Sequence, residues 1–391
     1  MTTIETTDAH IFNTYARIPV VFVKGRGATL WDDQGRQYTD FLAGIAVCSL
    51  GHAHPGLAEV MADQARTLVH VSNLYYTQPQ AELARKLVQL SFADKVFFCN
   101  SGAEANEAAL KLARRYFKEK GEPDRFTVVA MDKSFHGRTM ATLSATGQEK
   151  IQKGFAPLME KFIHVPFNDF KGLENAVDPH VCAVMMEPIQ GEGGVIPADP
   201  GYLKAVRDLC NDRGILLIFD EVQTGMGRCG TLFACQQYGI SPDIMTLAKA
   251  LGNGLPIGAM LATQEVAKGF STGSHGSTFG GTPLVTRVAG EVVSLISDPA
   301  FLKEIREKGE YFREGLSRLK PGHPCIKEVR GKGLLIGMEL TVEAGPLVEQ
   351  CMKKGFIINA IQGNILRFAP PLVVTREEID ALITALDSVL D

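Results

Sequence analysis

The sequence predicts an α/β protein: a large domain on a seven-stranded, mostly parallel sheet, with a smaller α+β domain appended. Three observations carry this. Seven short apolar, β-branched runs recur between about residues 95 and 265 of the 391-residue chain. Between several of them lie segments of helical period, each ending near a glycine able to cap it. After residue 283 the alternation stops, and a long helical region leads into three strand-like runs and a closing helix.

Along the chain, residues 1–60 are expected to form an N-terminal segment packing with the small domain. They contain ATLWDDQGRQYTDFLAG, a hairpin-like alternation around Asp33-Gln34-Gly35. Residues 61–283 are expected to form the large domain. Its strands are KVFFCNS (95–101), TVVAMDKS (127–134), KFIHVPF (161–167), VCAVMMEPI (181–189), ILLIFDEV (215–222), DIMTLAKA (243–250) and IGAMLAT (257–263). The intervening AEANEAALKLARRYFKEKG and PGYLKAVRDLCNDRG read as helices covering the two sheet faces. Residues 284–391 are expected to form the small domain: one helical region to about 320, strands in GLLIGMEL, GFIINAI and NILRFAPPL, and a helix at 376–390.

Composition narrows the function classes. Hydrophobic content of 45% and charged content of 21% are ordinary for a globular chain. The net charge of −4, without a basic patch, argues against nucleic acid as a partner. Apolar runs such as ILLIF are too short to span a bilayer, so no membrane association is expected. The opening MTTIETTDAHIF carries acids and no apolar core, unlike a signal peptide. Eight scattered cysteines without a C-x-x-C pair point to reduced thiols in a cytoplasmic enzyme, with neither zinc nor a disulfide framework. The pair His52-x-His54 lacks a third ligand and reads as structural, so no metal is expected.

In open parallel sheets ligands bind beyond the carboxyl ends of the strands. The polar residues there are Asn100-Ser101-Gly102, Phe135-His136-Gly137-Arg138, Glu187, Asp220-Glu221 and Lys249. At Ser101–Asn106 a strand ends, a glycine follows and a helix of small residues begins. That is either a phosphate cradle of backbone N–H groups or a plain cap made by Ser101 or Asn100. Asp220 ends the apolar run ILLIF, where an acid is costly to bury without a positive partner. A protonated heterocyclic nitrogen would serve, as would a cap or a structural ion pair. Lys249 lies within TLAKALGNGLPIGAMLAT, which otherwise reads as interior. Desolvation lowers a lysine pKa and yields the neutral amine that forms a Schiff base, while a snorkelling lysine is the plainer reading. Anion cradle, acid and lysine together suggest pyridoxal phosphate, which needs all three. Gly225, Gly227 and Gly230 spell a G-x-G-x-x-G, but they do not directly follow the strand, and no acid stands the expected ~20 residues on. A dinucleotide fold is therefore not expected.

The runs NSGAEANEAALKLAR, SFHGRTMATLSATG, HVPFND, MEPIQGEGG, FDEVQTGMGRCG, TLAKALGNGLPIGA and GSHGSTFGGTP together resemble the class III, fold-type I pyridoxal-phosphate aminotransferases along essentially the whole chain. Within that class the similarity is strongest to the acetylornithine branch. The resemblance implies that Lys249 holds the cofactor and shuttles a proton, and that Asp220 pairs with the pyridinium nitrogen. Gln223 would bond the ring's phenolic oxygen. Gly102 and Ala103 would offer phosphate-binding N–H groups, and Phe135 would stack on the ring. Ser101, Glu221 and Val222 would complete the cofactor-binding set. Thr278 would reach the phosphate of a neighbouring subunit, making a homodimer the minimal working unit, with Ser277 close to the substrate. Arg138 would take the carboxylate of the acylated substrate and Arg367 the α-carboxylate of glutamate or 2-oxoglutarate, with Glu192 as a gate over Arg367. Ile45 stands where ornithine δ-aminotransferases have a tyrosine. It would disfavour a free α-ammonium and tolerate an acylated nitrogen. Succinylornithine, N-succinyl-diaminopimelate and 4-aminobutyrate aminotransferases share the cofactor and fold and remain alternatives.

Overall fold

The structure is a computed structural model describing residues 1–390. Its centre is a seven-stranded sheet ordered, edge to edge, Lys95–Cys99, Gly258–Ala262, Ile244–Leu247, Leu216–Asp220, Val181–Met186, Thr127–Met131 and Phe162–Val165. Each of the seven apolar runs supplies one strand. Gly258–Ala262 runs antiparallel to both its neighbours, and the other pairings are parallel. The five interior strands are buried at every residue. A sheet covered on both faces needs such continuous apolar strands rather than an alternating pattern.

The helix Gly102–Glu119 crosses one face, with Ala105, Ala108, Ala109, Leu112 and Ala113 buried against the sheet. Its small side chains let the helix axis lie close to the strands. Tyr202–Arg213 lies elsewhere on the sheet and ends at Gly214, which adopts φ +59.

The C-terminal sheet is antiparallel, ordered Ile326–Lys332, Leu335–Leu340, Ile365–Phe368, Asn359–Ile361. Its first strand was not anticipated, because IKEVRGK carries four charges and only its first residue is buried. The helical region expected to about 320 is two helices, Pro283–Ile296 and Pro299–Ser317. Pro299 cannot donate a helical hydrogen bond, and the Asp298 carboxylate accepts from Ala300 N (2.7 Å) and Phe301 N (3.1 Å) to start the second. The run GFIINAI also divides. Phe356–Ile357 pairs in parallel with Gln37–Asp40 of the N-terminal sheet, while Asn359–Ile361 joins the C-terminal one. Arg367 lies at the register where these strands meet, opposite Gly337 on one side and Asn359 on the other.

Candidate active site

A cavity of about 430 Å³ opens at the carboxyl ends of the central strands. Ser101, Gly102, Ala103, Phe135, Arg138, Glu192, Asp220, Val222, Gln223 and Lys249 of the expected set line it, together with Val47, Asn106, His136 and Glu187.

At the foot of the helix Gly102–Glu119, Ser101 Oγ accepts from Glu104 N at 3.2 Å. The N–H groups of Gly102 and Ala103 precede any i−4 partner, and with the helix dipole behind them they are the kind of donors that would suit an anion. The cap is therefore present, and it leaves the first two N–H groups of the helix without an intrahelical acceptor. Gly102 is dictated by packing: a Cβ there would stand 2.8 Å from Val222 Cγ1.

Asp220 is buried at the end of its strand. One carboxylate oxygen accepts from Asn106 Nδ2 at 2.7 Å and meets His136 Nδ1 at 2.8 Å; the other accepts from Val222 N at 3.0 Å. Asn106 Nδ2 also bonds His136 O (2.8 Å), and Thr246 Oγ1 donates to Asn106 Oδ1 (2.7 Å). The sequence named His136 only as one of the polar residues at the strand ends, with no role, and did not single out Asn106. The available signal was Asn106 itself, one buried amide in a run of alanines on the sheet-facing side of its helix.

Glu187 accepts from Phe135 N (3.1 Å) and Gly191 N (2.9 Å), which fixes the Phe135 backbone at the cavity wall. Burial pushes its carboxyl up to about 7, with His136 opposing and Asp220 reinforcing. Arg138 is exposed on the other side of Phe135, its guanidinium 5.8 Å from the ring centroid.

Lys249 is half-buried at the cavity wall rather than interior as its surroundings suggested. Its φ of +44 is a conformation that costs a non-glycine residue about 1–3 kcal/mol, the kind of strain that clusters at functional sites. Burial lowers its pKa, against the raising pull of Glu192, Asp220 and Glu187. Glu192 pairs with the guanidinium of Arg367, which also donates through Nε to Asn359 Oδ1 at 3.2 Å. Burial works to raise the Glu192 carboxyl, but Arg367, with Lys249 and Gln223, outweighs it and holds it below the usual range. Arg367 is itself shut off from solvent behind Glu192.

Glu221 requires a correction. Its carboxylate accepts from Ala234 N (2.6 Å), Cys235 N (2.7 Å) and Thr224 Oγ1 (3.2 Å), and it lines no part of the cavity. Both oxygens are committed to the loop after Asp220, so the side chain braces this turn and faces away from the cavity. Ser277, Thr278 and Ile45 also lie off the cavity wall. Ser277 Oγ accepts from Asn100 Nδ2 at 3.1 Å, next to the cavity. Thr278 is exposed in a separate shallow recess with His70, Asn73 and Tyr75, and Ile45 is 43% exposed. The two histidines of His52-x-His54 have different tasks. His52 Nε2 meets Asp40 Oδ2 at 2.7 Å, while His54 Nδ1 accepts from Leu57 N to cap a helix.

The sequence model of the aminotransferase class-III family matches residues 11–390. The chain belongs to this family. It is 52% identical over 382 residues to the acetylornithine aminotransferase of Caldanaerobacter subterraneus subsp. tengcongensis, covering 97% of each chain. It is also 52% identical over 375 residues to that of Methanocaldococcus jannaschii, covering 96% of this chain and 94% of the relative. Among solved structures, the ornithine aminotransferase from Toxoplasma gondii ME49 superposes with a TM-score of 0.95 at 35% identity, covering 99% and 94% of the two chains. The N-acetylornithine aminotransferase from Stenotrophomonas maltophilia K279a does so with a TM-score of 0.86 at 38% identity, covering 99% and 98%. The architecture is that of the fold-type I aminotransferases. Class-III aminotransferases use pyridoxal phosphate to move amino groups between amino and oxo acids. Backbone likeness to both kinds of enzyme leaves the substrate to be read from side chains.

Proposed function

We propose that the chain transfers the δ-amino group of N2-acetyl-L-ornithine to 2-oxoglutarate, giving N-acetyl-L-glutamate 5-semialdehyde and L-glutamate. It would work in the cytoplasm as a homodimer, in two half-reactions that share one cavity. The observation that carries this reading is the Arg367–Glu192 pair beside Lys249. A site that accepts a δ-amine and then an α-amino acid needs a carboxylate receptor that can be covered and uncovered. A guanidinium closed by a movable carboxylate is such a receptor. The names of the full-length relatives point the same way.

The cavity suits pyridoxal phosphate. Gln223 Oε1 and His136 Nε2 are buried there without a partner, the Gly102 and Ala103 N–H groups stand open to an anion, and Asp220 is held rigid by Asn106 and His136. Bound there, the cofactor supplies an electron sink for the bond broken at the substrate carbon. The chain's residues do the rest. Lys249 would hold the cofactor, and its lowered pKa leaves a neutral amine able to take up a proton and return it. Asp220 would keep a proton on the ring nitrogen, Gln223 would bond the phenolic oxygen, Phe135 would cover the ring, and Ser101 and Val222 would shape the phosphate end. Arg138 takes the carboxylate of the acylated substrate, with Ser277 nearby. Thr278 serves the phosphate of the partner subunit, and Ile45 disfavours a free α-ammonium.

The test is a half-reaction. Purified protein is mixed with N-acetylornithine, ornithine or 4-aminobutyrate, without an oxo acid, while the visible absorbance of the bound cofactor is followed. Fast bleaching by N-acetylornithine alone is expected, and Lys249→Ala should abolish turnover. Bleaching mainly by 4-aminobutyrate overturns the substrate. No absorbance after added pyridoxal phosphate overturns the reading altogether. A parallel run with N-succinylornithine sets the acyl preference.

A further inference from the structure

Arg228 is among the largest side chains wholly shut off from solvent, at 0% exposure. It sits inside the G-x-G-x-x-G run that the proposed chemistry does not use. Gly227 turns the backbone there at φ +81, where a Cβ would meet Ile296 at 2.7 Å. The glycines thus deliver the arginine into a seam that a bulkier loop could not enter.

Three segments converge on its guanidinium. Nη1 donates to Leu334 O at 3.1 Å and Pro370 O at 2.5 Å, and Nη2 donates to Ser49 Oγ at 3.0 Å. Leu334 N returns a bond to Arg228 O at 3.0 Å. Leu334 leads into the strand that pairs with Arg367, and Pro370 follows Arg367 by three residues. Ser49 follows Val47 of the cavity wall by two, and its carbonyl accepts from Leu372 N at 2.7 Å. Arg228 itself hangs from the loop that begins at Asp220 and Gln223.

All three acceptors are neutral oxygens, and Nε has no partner. Burying a cation this way costs several kcal/mol, and an apolar residue of similar volume often gives equal or greater stability. Stability is therefore a poor reason for the residue. Geometry is a better one: a planar fork with fixed donor directions sets three chain segments at fixed separations.

We infer that Arg228 is a positioning residue that holds the Arg367 strand and the Val47 segment at the correct span from the Asp220–Lys249 end of the cavity, and so sets the fit of dicarboxylate substrates. This rests on the proposed assignment of Arg367 to the substrate α-carboxylate.

The experiment uses the cofactor-loaded enzyme and glutarate, a dicarboxylate with no group to react. Calorimetry gives the glutarate Kd, steady-state kinetics give KM and kcat for 2-oxoglutarate, and visible absorbance reports the cofactor end. Arg228→Met should raise the glutarate Kd and the 2-oxoglutarate KM on the order of 10-fold, with kcat falling about threefold at most and the absorbance maximum unmoved. Arg228→Lys, which keeps the charge but loses the fork, should lie between, and Ser49→Ala should give about threefold. The Tm can move in either direction without bearing on the outcome.

Unchanged glutarate binding in Arg228→Met overturns the inference. So does a parallel loss of binding, kcat and absorbance, which would mark general loosening. Should Arg228→Met fail to fold, Arg228→Lys and Ser49→Ala decide by the same criteria. Arg367→Gln separates the two levels. If it leaves glutarate binding intact, the substrate assignment falls and this inference with it. If it weakens binding while the Arg228 variants do not, only the inference falls.

Discussion

At Glu192 one carboxylate faces both Arg367 and Lys249, and its charge is what would let one cavity serve two substrates. Glu192→Ala leaves Arg367 uncovered. The variant should bind glutamate more tightly and lose discrimination against free α-amino acids by on the order of 10-fold in kcat/KM, measured as the N-acetylornithine to ornithine ratio. An unchanged ratio would remove Glu192 from the gate. A second residue-scale prediction concerns His52, whose pKa is raised from 6.5 to about 9, first by the hydrogen bond with Asp40 and then by Cys48, against burial. Because the folded value is the higher one, the stabilisation is fully present below pH 6.5 and is lost as the pH rises through about 9. His52→Asn should therefore cost up to roughly 3 kcal/mol at the acid end of that window and little beyond its alkaline end. Urea midpoints across the window check this, and a flat difference would mean the pair is held with a neutral imidazole.

At the scale of elements, the His52–Asp40 pair pins an unusual one. Ala43, Gly44, Ile45 and Ala46 all adopt positive φ, at 52, 64, 66 and 60, forming a left-handed turn just ahead of Val47 in the cavity wall. Asp40 Oδ1 accepts from Leu42 N and Ala43 N, both at 2.8 Å, to hold its entry. A β-branched residue pays about 1–2 kcal/mol for this conformation, whereas asparagine tolerates it. Ile45→Asn should thus raise stability by roughly 0.5–1 kcal/mol in a thermal melt while altering the N-acetylornithine to ornithine preference. A fall in Tm would show that the half-exposed side chain packs more than it strains. At the other wall, Gly102→Ala drives a methyl into Val222 and should weaken pyridoxal phosphate binding about 10-fold in an absorbance titration, with Val222→Ala restoring it. Elements of this kind divide sharply in how legible they were. The seven sheet strands stood out because each is a mostly apolar run bounded by turn residues. The break at Asp298-Pro299 was written in the sequence and was overridden by the helical period on either side. The left-handed turn, the split of GFIINAI between two sheets and the Asn106–His136 brace were not legible, since each exists only through contacts with residues far along the chain. Arg228 was hidden behind a motif that pointed to the wrong ligand.

On the scale of the whole molecule, the surface around Thr278 is unusually apolar. Leu74, Tyr75, Tyr76 and Phe279 are 86%, 69%, 105% and 62% exposed. The helix Thr3–His10 buries no residue, and Phe12 beyond it is 89% exposed. A patch of that kind marks an interaction surface, and a second copy of the chain covering it would bring Thr278 within reach of another cavity. The decisive experiment is subunit complementation. Lys249→Ala and Thr278→Ala are purified separately, and the two proteins are mixed under conditions that exchange subunits. If Thr278 serves the partner's site, each mixed dimer contains one cavity with a native Lys249 and a native Thr278, and one lacking both. Random exchange then makes half the dimers mixed, and activity should rise to about a quarter of the wild-type level, above the sum of the two parents. If Thr278 instead acts within its own chain, no pairing of the two variants creates an intact site. Mixing would then leave the activity at that sum, and the shared-site dimer would be wrong. Tyr76→Asp provides the matching control, since a chain that no longer pairs should show neither the rise nor, in light scattering, the dimer itself.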